Sequence, residues 1–248
     1  LRALSPTGRP APFDASGDGL VVGEGAGVFV LKRLSDAERH GDRIYGVLRG
    51  FGLSNDIGGS LLAPDAGGQF RAMRAAYARS GWAPQDVDLI ECHATGTPVG
   101  DAVELQSLST LWGGSGWERR QCALGSAKSN VGHMLTAAGA AGLMKVLLAL
   151  RAKTLPPSAN FSKPVGGADL DSTPFRVQTK AEPWPERSKG TPRRAAVSGF
   201  GFGGINAHLL VEEWLGETRP AQARRTLNAP AAPRALDIAV VGLEARFG

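Results

Sequence analysis

The sequence has almost no cysteine. Cys92 and Cys122 are the only two in 248 residues, which excludes a disulfide framework and fits a reducing, cytoplasmic setting. No C-x-x-C or H-x-x-x-H spacing supports a zinc site built from Cys92, His93, Cys122 and His133, so no metal is expected. Aromatics are sparse at 6%, and 28 Lys and Arg are scattered among 23 Asp and Glu. A nucleic-acid surface needs clustered basic residues interleaved with rings, and that pattern is missing. The net charge of +5 fits an acidic protein partner instead. The N-terminus lacks a charged-then-apolar leader. The most apolar stretch, 134–150, contains Lys145 and is rich in Ala and Gly, which reads as a core helix rather than a membrane span.

Glycine, by contrast, is plentiful at 34 residues, much of it beside polar motifs where tight turns and close backbone approaches are expected. Residues 21–34 are β-branched and Gly-interrupted and read as two short buried strands. Ser35, with Glu38 three residues on, predicts a capped helix over 35–40. A strand over 44–53 precedes Phe70, Met73, Tyr77 and Ala78 at helical spacing, with Gly81 as the stop. Residues 87–92 form the next strand, and Asp101 with Glu104 has the spacing of a capping box for the helix after it. Strands follow over 121–125, 175–178, 195–200 and 207–214, with a long helix from about Met134. Residues 217–236 are rich in Ala, Pro and Arg without periodicity and read as a linker. Residues 237–248 begin a fresh strand of a further domain. The division is therefore 1–216, 217–236 and 237–248.

Two histidines carry the chemistry. His93 closes a strand in Cys92-His93-Ala94-Thr95-Gly96-Thr97, and His133 follows Lys128-Ser129-Asn130-Val131-Gly132. Two imidazoles delivered from two strand ends can polarise one carbonyl from two directions. The positive end of the following helix and Lys128 both disfavour an imidazolium at His133, so it is expected to be neutral and to donate a hydrogen bond. A well-placed donor of this kind stabilises a developing enolate or oxyanion by about 3–4 kcal/mol. Gly199, Gly201 and Gly204 imitate a nucleotide-binding G-x-G-x-x-G. The residues that follow read as a strand, so the helix that motif needs is missing. A tight strand-to-strand turn with free N–H groups is the better reading. Cys92 and Cys122 read as structural, as does His208, and His40 as incidental. No nucleophile in a convincing setting is found.

In order and spacing, Asp18-Gly19 with Gly23-Glu24-Gly25-Ala26-Gly27, His93-Ala94-Thr95-Gly96-Thr97, Lys128 to His133, and Gly201-Phe202-Gly203-Gly204-Ile205-Asn206-Ala207-His208 resemble the β-ketoacyl synthases. The ending Asn206-Ala207-His208 and Gly142 are more similar to multidomain polyketide synthases. His93-Ala94-Thr95 is more similar to iterative and polyunsaturated-fatty-acid-type synthases. The resemblance implies a thiolase-like α/β fold, layered αβαβα, of which this chain holds the second half and the last strands of the first. It implies a nucleophilic Cys ahead of Leu1, in the missing half.

The implied reaction is a decarboxylative Claisen condensation. His93 and His133 would hold the malonyl thioester oxygen and Lys128 would tune His133. The Phe202 N–H would serve the oxyanion and its ring would gate the acyl pocket, with Gly203, Thr95, Thr97 and Asn206 also at the substrate. Asp101 and Glu104 would hold the loop and helix start. No cofactor is bound directly, since the thioesters ride on the phosphopantetheine of an acyl carrier protein. The implied partners are that carrier, the N-terminal half of the ketosynthase and a second copy in a homodimer. Residues 237–248 resemble the opening of another ketosynthase-like domain. A non-catalytic chain-length-factor-like partner is the main alternative, and the joint presence of His93, Lys128 and His133 argues against it. A thiolase-fold enzyme acting on coenzyme A esters has less reason to carry two donor imidazoles.

Overall fold

The computed structural model describes residues 3–58 and 64–216, so the expected linker 217–236 and following segment 237–248 lie outside the described residues. Six strands make one mixed sheet: β1 (Val47–Asn55), β2 (Leu89–Glu91), β3 (Cys122–Gly125), β5 (Phe175–Val177), β7 (Arg194–Gly201) and β8 (Ile205–Glu212). Their order is β1-β8-β7-β2-β3-β5, and β4 (Thr154–Leu155) pairs separately with β6 (Glu182–Pro183). β2 runs parallel to β3 and β7, and β3 parallel to β5. β7, β8 and β1 form an antiparallel run.

Adjacent strand residues divide between two cores, as the two-residue period of a strand requires. Ile90, Leu124, Ala196 and Leu210 pack with Met73, Tyr77, Leu105 and Leu108 on one face. Leu89, Ala123, Ala195 and Val211 pack with Val146, Ala149 and Leu150 on the other. The first face is covered by α2 (Ala66–Ser80) and α3 (Pro98–Trp112), the second by α5 (Ala138–Ala152). The architecture is therefore the expected α/β layering, with helix, sheet and helix layers among the described residues. α2 lies close on β1 because Gly50 and Gly52 have no side chains. A Cβ at Gly50 would run into the carbonyl oxygen of Ala76, and one at Gly52 into that of Ala72.

Several expectations are corrected. Residues 21–33 form no strand, and Val28 and Val30 are each 87% exposed. The segment pairs with the fold through one parallel bridge, Val22 to His133, and Gly25 and Gly27 lie against Met134 and Ala140. Its β-branched residues read as core because they suit a pleated surface, but within the described residues no strand lies beside them. The short helix α1 (Leu34–His40) begins one residue early, with Arg33 rather than Ser35 at the N-cap and no side-chain cap bond. α3 begins at Pro98, whose fixed φ suits the first helical position, so Asp101 and Glu104 lie inside the helix. The long helix proper begins at Ala138, after a 3-10 turn at Leu135–Ala137. It meets the sheet through Ala138, Gly142, Val146, Ala149 and Leu150, while Met144 and Leu148 are exposed. Among the described residues it is covered on one side.

Candidate active site

The C-terminal ends of the parallel strands β2 and β3 feed the two histidine motifs into one cavity of about 650 Å³. The His93 and His133 rings stand edge to face with centroids 5.5 Å apart, and both line that cavity. Phe200 from β7 lies 6.1 Å from His93 by centroid.

The loop that carries His93 is held by two carboxylates of α3. Residues i and i+3 share a helix face, so Asp101 and Glu104 both reach back to it. Glu104 accepts the N–H groups of His93 at 2.8 Å and Ala94 at 2.7 Å. Asp101 accepts those of Thr95 at 3.0 Å, Gly96 at 3.2 Å and Phe13 at 2.6 Å. The capping-box spacing is real, but the side chains bond a loop outside the helix rather than its first turn.

His133 is clamped through its backbone. Its N–H donates to Val21 O at 2.6 Å, and its carbonyl accepts from Gly23 N–H at 3.0 Å. A Cβ on Gly23 would run into Val131 O, and Gly132 sits at φ +74° against Val21 and Gly23. Gly23 and Gly25 thus serve close approach to the His133 loop, while Gly27 lies against Ala140 of α5.

The His133 ring accepts the Leu135 N–H at Nδ1, at 3.0 Å. An accepting Nδ1 places the proton of a neutral imidazole on Nε2, which is then a donor. Burial first, and Lys128 second, push His133 down to about 4. Burial, Lys128 and His133 push His93 well below its usual value. Both rings are therefore neutral at pH 7. The leading cause is burial rather than a helix dipole, since α5 begins five residues beyond His133. Lys128, at the start of the short helix α4 (Lys128–Val131), is buried in the cavity wall and forms no ion pair among the described residues.

These shifts have opposite consequences for stability. A His133 midpoint of about 4 rather than 6.5 contributes stability that is full above pH 6.5 and lost as the pH falls through 4. Burial raises Asp101 from 3.8 to about 6 and Glu104 from 4.5 to about 7 against their N–H donors. Their contributions are full below those unfolded values and lost as the pH rises through 6 and 7. Ring-resolved NMR titration of His133 should give a midpoint near 4. A midpoint at or above 6 would contradict this environment.

The turn between β7 and β8 is the expected tight hairpin. Gly204 N–H closes it onto Gly201 O at 3.2 Å. The N–H groups of Phe202 and Gly203 find no acceptor among the described residues. Both residues line the cavity, as do Thr95 and Thr97, whose hydroxyls bond each other at 2.9 Å. Phe202 is 63% exposed at the cavity mouth. Asn206 is not among the lining residues. Its carboxamide donates to Asp56 Oδ1 at 2.7 Å and Gly204 O at 3.2 Å, so it fixes the hairpin rather than facing the cavity.

Both cysteines are buried and free, and burial pushes their thiols up, which makes them poor nucleophiles. His208 is wholly buried, 3.1 Å from the Ser198 hydroxyl and stacked on Tyr77, and burial lowers it to about 3. The sequence gives little reason to single out Gln69 and Ser198, which also line the cavity. A carboxylate in the apolar run Leu89-Ile90-Glu91-Cys92 is a signal that could have marked Glu91.

Comparison with known proteins agrees with this geometry. Residues 45–162 match the family model "Beta-ketoacyl synthase, C-terminal domain" and residues 1–37 match "Beta-ketoacyl synthase, N-terminal domain". The chain is 44% identical to polyketide synthase PksL of Bacillus subtilis over 217 residues, covering 87% of this chain and 5% of that protein. It is 45% identical over 223 residues to a phenolphthiocerol/phthiocerol polyketide synthase of Mycobacterium tuberculosis, covering 88% of this chain and 12% of that protein. Among solved structures, the ketosynthase from module 6 of the bacillaene synthase of Bacillus subtilis superposes with a TM-score of 0.83 at 42% identity, covering 87% of this chain and 38% of that one. This chain thus spans a small part of the curated relatives and over a third of the solved ketosynthase. The paired imidazoles, the α/β layers and these matches lead to one conclusion: the chain belongs to the β-ketoacyl synthase family and carries the C-terminal ketosynthase domain, thiolase-like in fold, of the modular polyketide synthase kind.

Proposed function

We propose that residues 1–216 are the extender half of a condensing site, catalysing decarboxylative condensation between an acyl thioester and a malonyl thioester on acyl carrier protein. The single observation that carries this reading is the neutral His93–His133 pair, 5.5 Å apart in one cavity with Lys128 in its wall. Two neutral donors serve an enolate better than imidazolium cations would, because they hydrogen-bond its oxygen without giving the carbanion a proton. The malonyl thioester oxygen binds between the rings, and the carboxylate leaves as carbon dioxide. The electron pair of the broken C–C bond passes into the enolate. The enolate carbon then attacks the acyl thioester carbon and expels a cysteine thiolate. Cys92 and Cys122 are unsuited to that nucleophile, so a segment outside this chain supplies it.

The turn N–H of Phe202 serves the second oxyanion, Thr95 and Thr97 shape the wall, and burial with Lys128 keeps both rings neutral. The phosphopantetheine arm of the carrier brings the thioesters, and no other cofactor takes part. The apolar exposed residues Val28, Val30 and Leu31 support a remaining ketosynthase half as the cover for this face, with a homodimer as the working form in the cytoplasm. Residues 217–236 serve as a linker to a following domain that begins at 237.

The test is to combine this chain, in its complete polypeptide, with malonyl- and acyl-carrier protein and to seek the β-ketoacyl thioester by mass spectrometry. Absence of that product, with both carriers loaded, rejects the reading. A second expected result concerns Phe202. Its ring stands at the mouth among Gly201, Gly203 and Gly204, so Phe202→Ala should admit bulkier acyl groups and relax loading selectivity about tenfold while condensation persists. Competition between short and branched acyl donors reads this out, and an unchanged ratio rejects the gate.

A further inference from the structure

Glu91 and Lys145 lie outside the cavity lining, yet they bind together the three elements that deliver the site. Glu91 is buried at the end of β2, two residues before His93. Its Oε1 accepts the Ala127 N–H at 2.5 Å, immediately before Lys128. Its Oε2 meets Lys145 Nζ at 2.8 Å, on α5, the helix that follows His133. This ion pair is the only polar contact of either of those two atoms among the described residues.

The surroundings are cut to fit the pair. A Cβ on Gly142 would lie 3.0 Å from Glu91 Cγ, and one on Gly125 would lie 3.0 Å from Lys145 Nζ. Buried ion pairs are weak stabilisers, because desolvation offsets most of the attraction. Geometry gives this pair another use. Resting on the condensing-site reading above, we propose that Glu91 and Lys145 are positioning residues: one carboxylate, anchored by the α5 ammonium, sets the Ala127–Lys128 turn against the His93 strand and fixes Lys128 relative to both imidazoles.

Glu91 is also one of the carboxylates that hold the Lys128 ammonium charged against its burial. The others facing it are Glu104 and Asp101 from α3, and the Cys92 thiol beside them is held protonated by burial. His93 and His133 face Lys128 as neutral rings. Losing the Glu91 charge should therefore bring Lys128 to deprotonate at lower pH.

The experiment uses the complete polypeptide containing this chain, with malonyl-carrier protein as probe, and compares Glu91→Gln, Lys145→Met and the double variant. Glu91→Gln should lower kcat for decarboxylation at least tenfold with KM within twofold, and should move the alkaline limb of the pH–rate profile downward. The double variant removes both charges of the pair, so neither partner is left without the other. It should regain thermal stability without regaining kcat, and it keeps the test valid if a single variant fails to fold. Recovery of kcat together with stability would overturn the proposal, as would an alkaline limb that stays in place. If the unsubstituted protein releases no carbon dioxide, the functional reading fails separately. NMR signals of the His93 and His133 rings then decide the positioning claim: they must shift in the double variant, and unchanged signals reject it.

Discussion

Replacing His133 with alanine should cut malonyl decarboxylation by a factor of about 10²–10³, the usual cost of one lost donor to a developing oxyanion. Acyl loading of the nucleophilic cysteine should stay within twofold. The split follows from where the ring stands. Its Nδ1 is occupied by the Leu135 N–H at 3.0 Å, so Nε2–H is the free donor, and the ring lines the cavity shared with His93. Burial and Lys128 keep the ring neutral, which suits it to polarise a carbonyl rather than to move a proton to or from a thiol. Release of labelled carbon dioxide and mass-spectrometric detection of the acyl-enzyme separate the two steps. Full release from His133→Ala would remove His133 from the extender site. Parallel loss of loading would show that the clamp through Val21 and Gly23 had failed instead, an outcome distinguished by the variant's melting temperature.

Much of this site could be read from residue order alone, for a physical reason. Polar motifs that close strands in a parallel sheet emerge at the same edge, so His93 after β2 and His133 after β3 had to share a neighbourhood. The hairpin after Phe200 was equally legible, because a strand rather than a helix follows its glycines. Charges that act at a distance were harder to place. Asp101 and Glu104 have the spacing of a cap; their hold on the loop came only from the family resemblance, and the structure shows them bonding residues 93–96 and Phe13. Asn206 sits in a motif with cavity-lining neighbours, yet the strand alternation turns it toward Asp56. Residues 21–33 misled in the other direction. Their composition records a preference for a pleated, covered surface, and composition cannot say which strands supply it.

Asp101 should prove costly to remove. Its two oxygens take three backbone N–H groups, those of Phe13, Thr95 and Gly96, in a site where Asp101 itself is 2% exposed. Alanine leaves all three donors buried without acceptors, and each costs about 1–3 kcal/mol. The expected loss is therefore roughly 3–9 kcal/mol in the unfolding free energy, on the same three-donor count. That is a large share of the stability of an ordinary domain. Asn at this position keeps one oxygen acceptor and turns an amide toward N–H groups that cannot accept, so Asp101→Asn should recover only part of the loss. Urea unfolding at constant m-value gives the measurement, and a loss below about 1 kcal/mol would show that water replaces the carboxylate. The functional consequence separates Asp101 from the chemistry. Where the variant still folds, the loop at Thr95 and Gly96 loosens while Glu104 still holds His93 and Ala94. KM for the malonyl thioester should then rise more than kcat falls, because the wall moves and the donors remain.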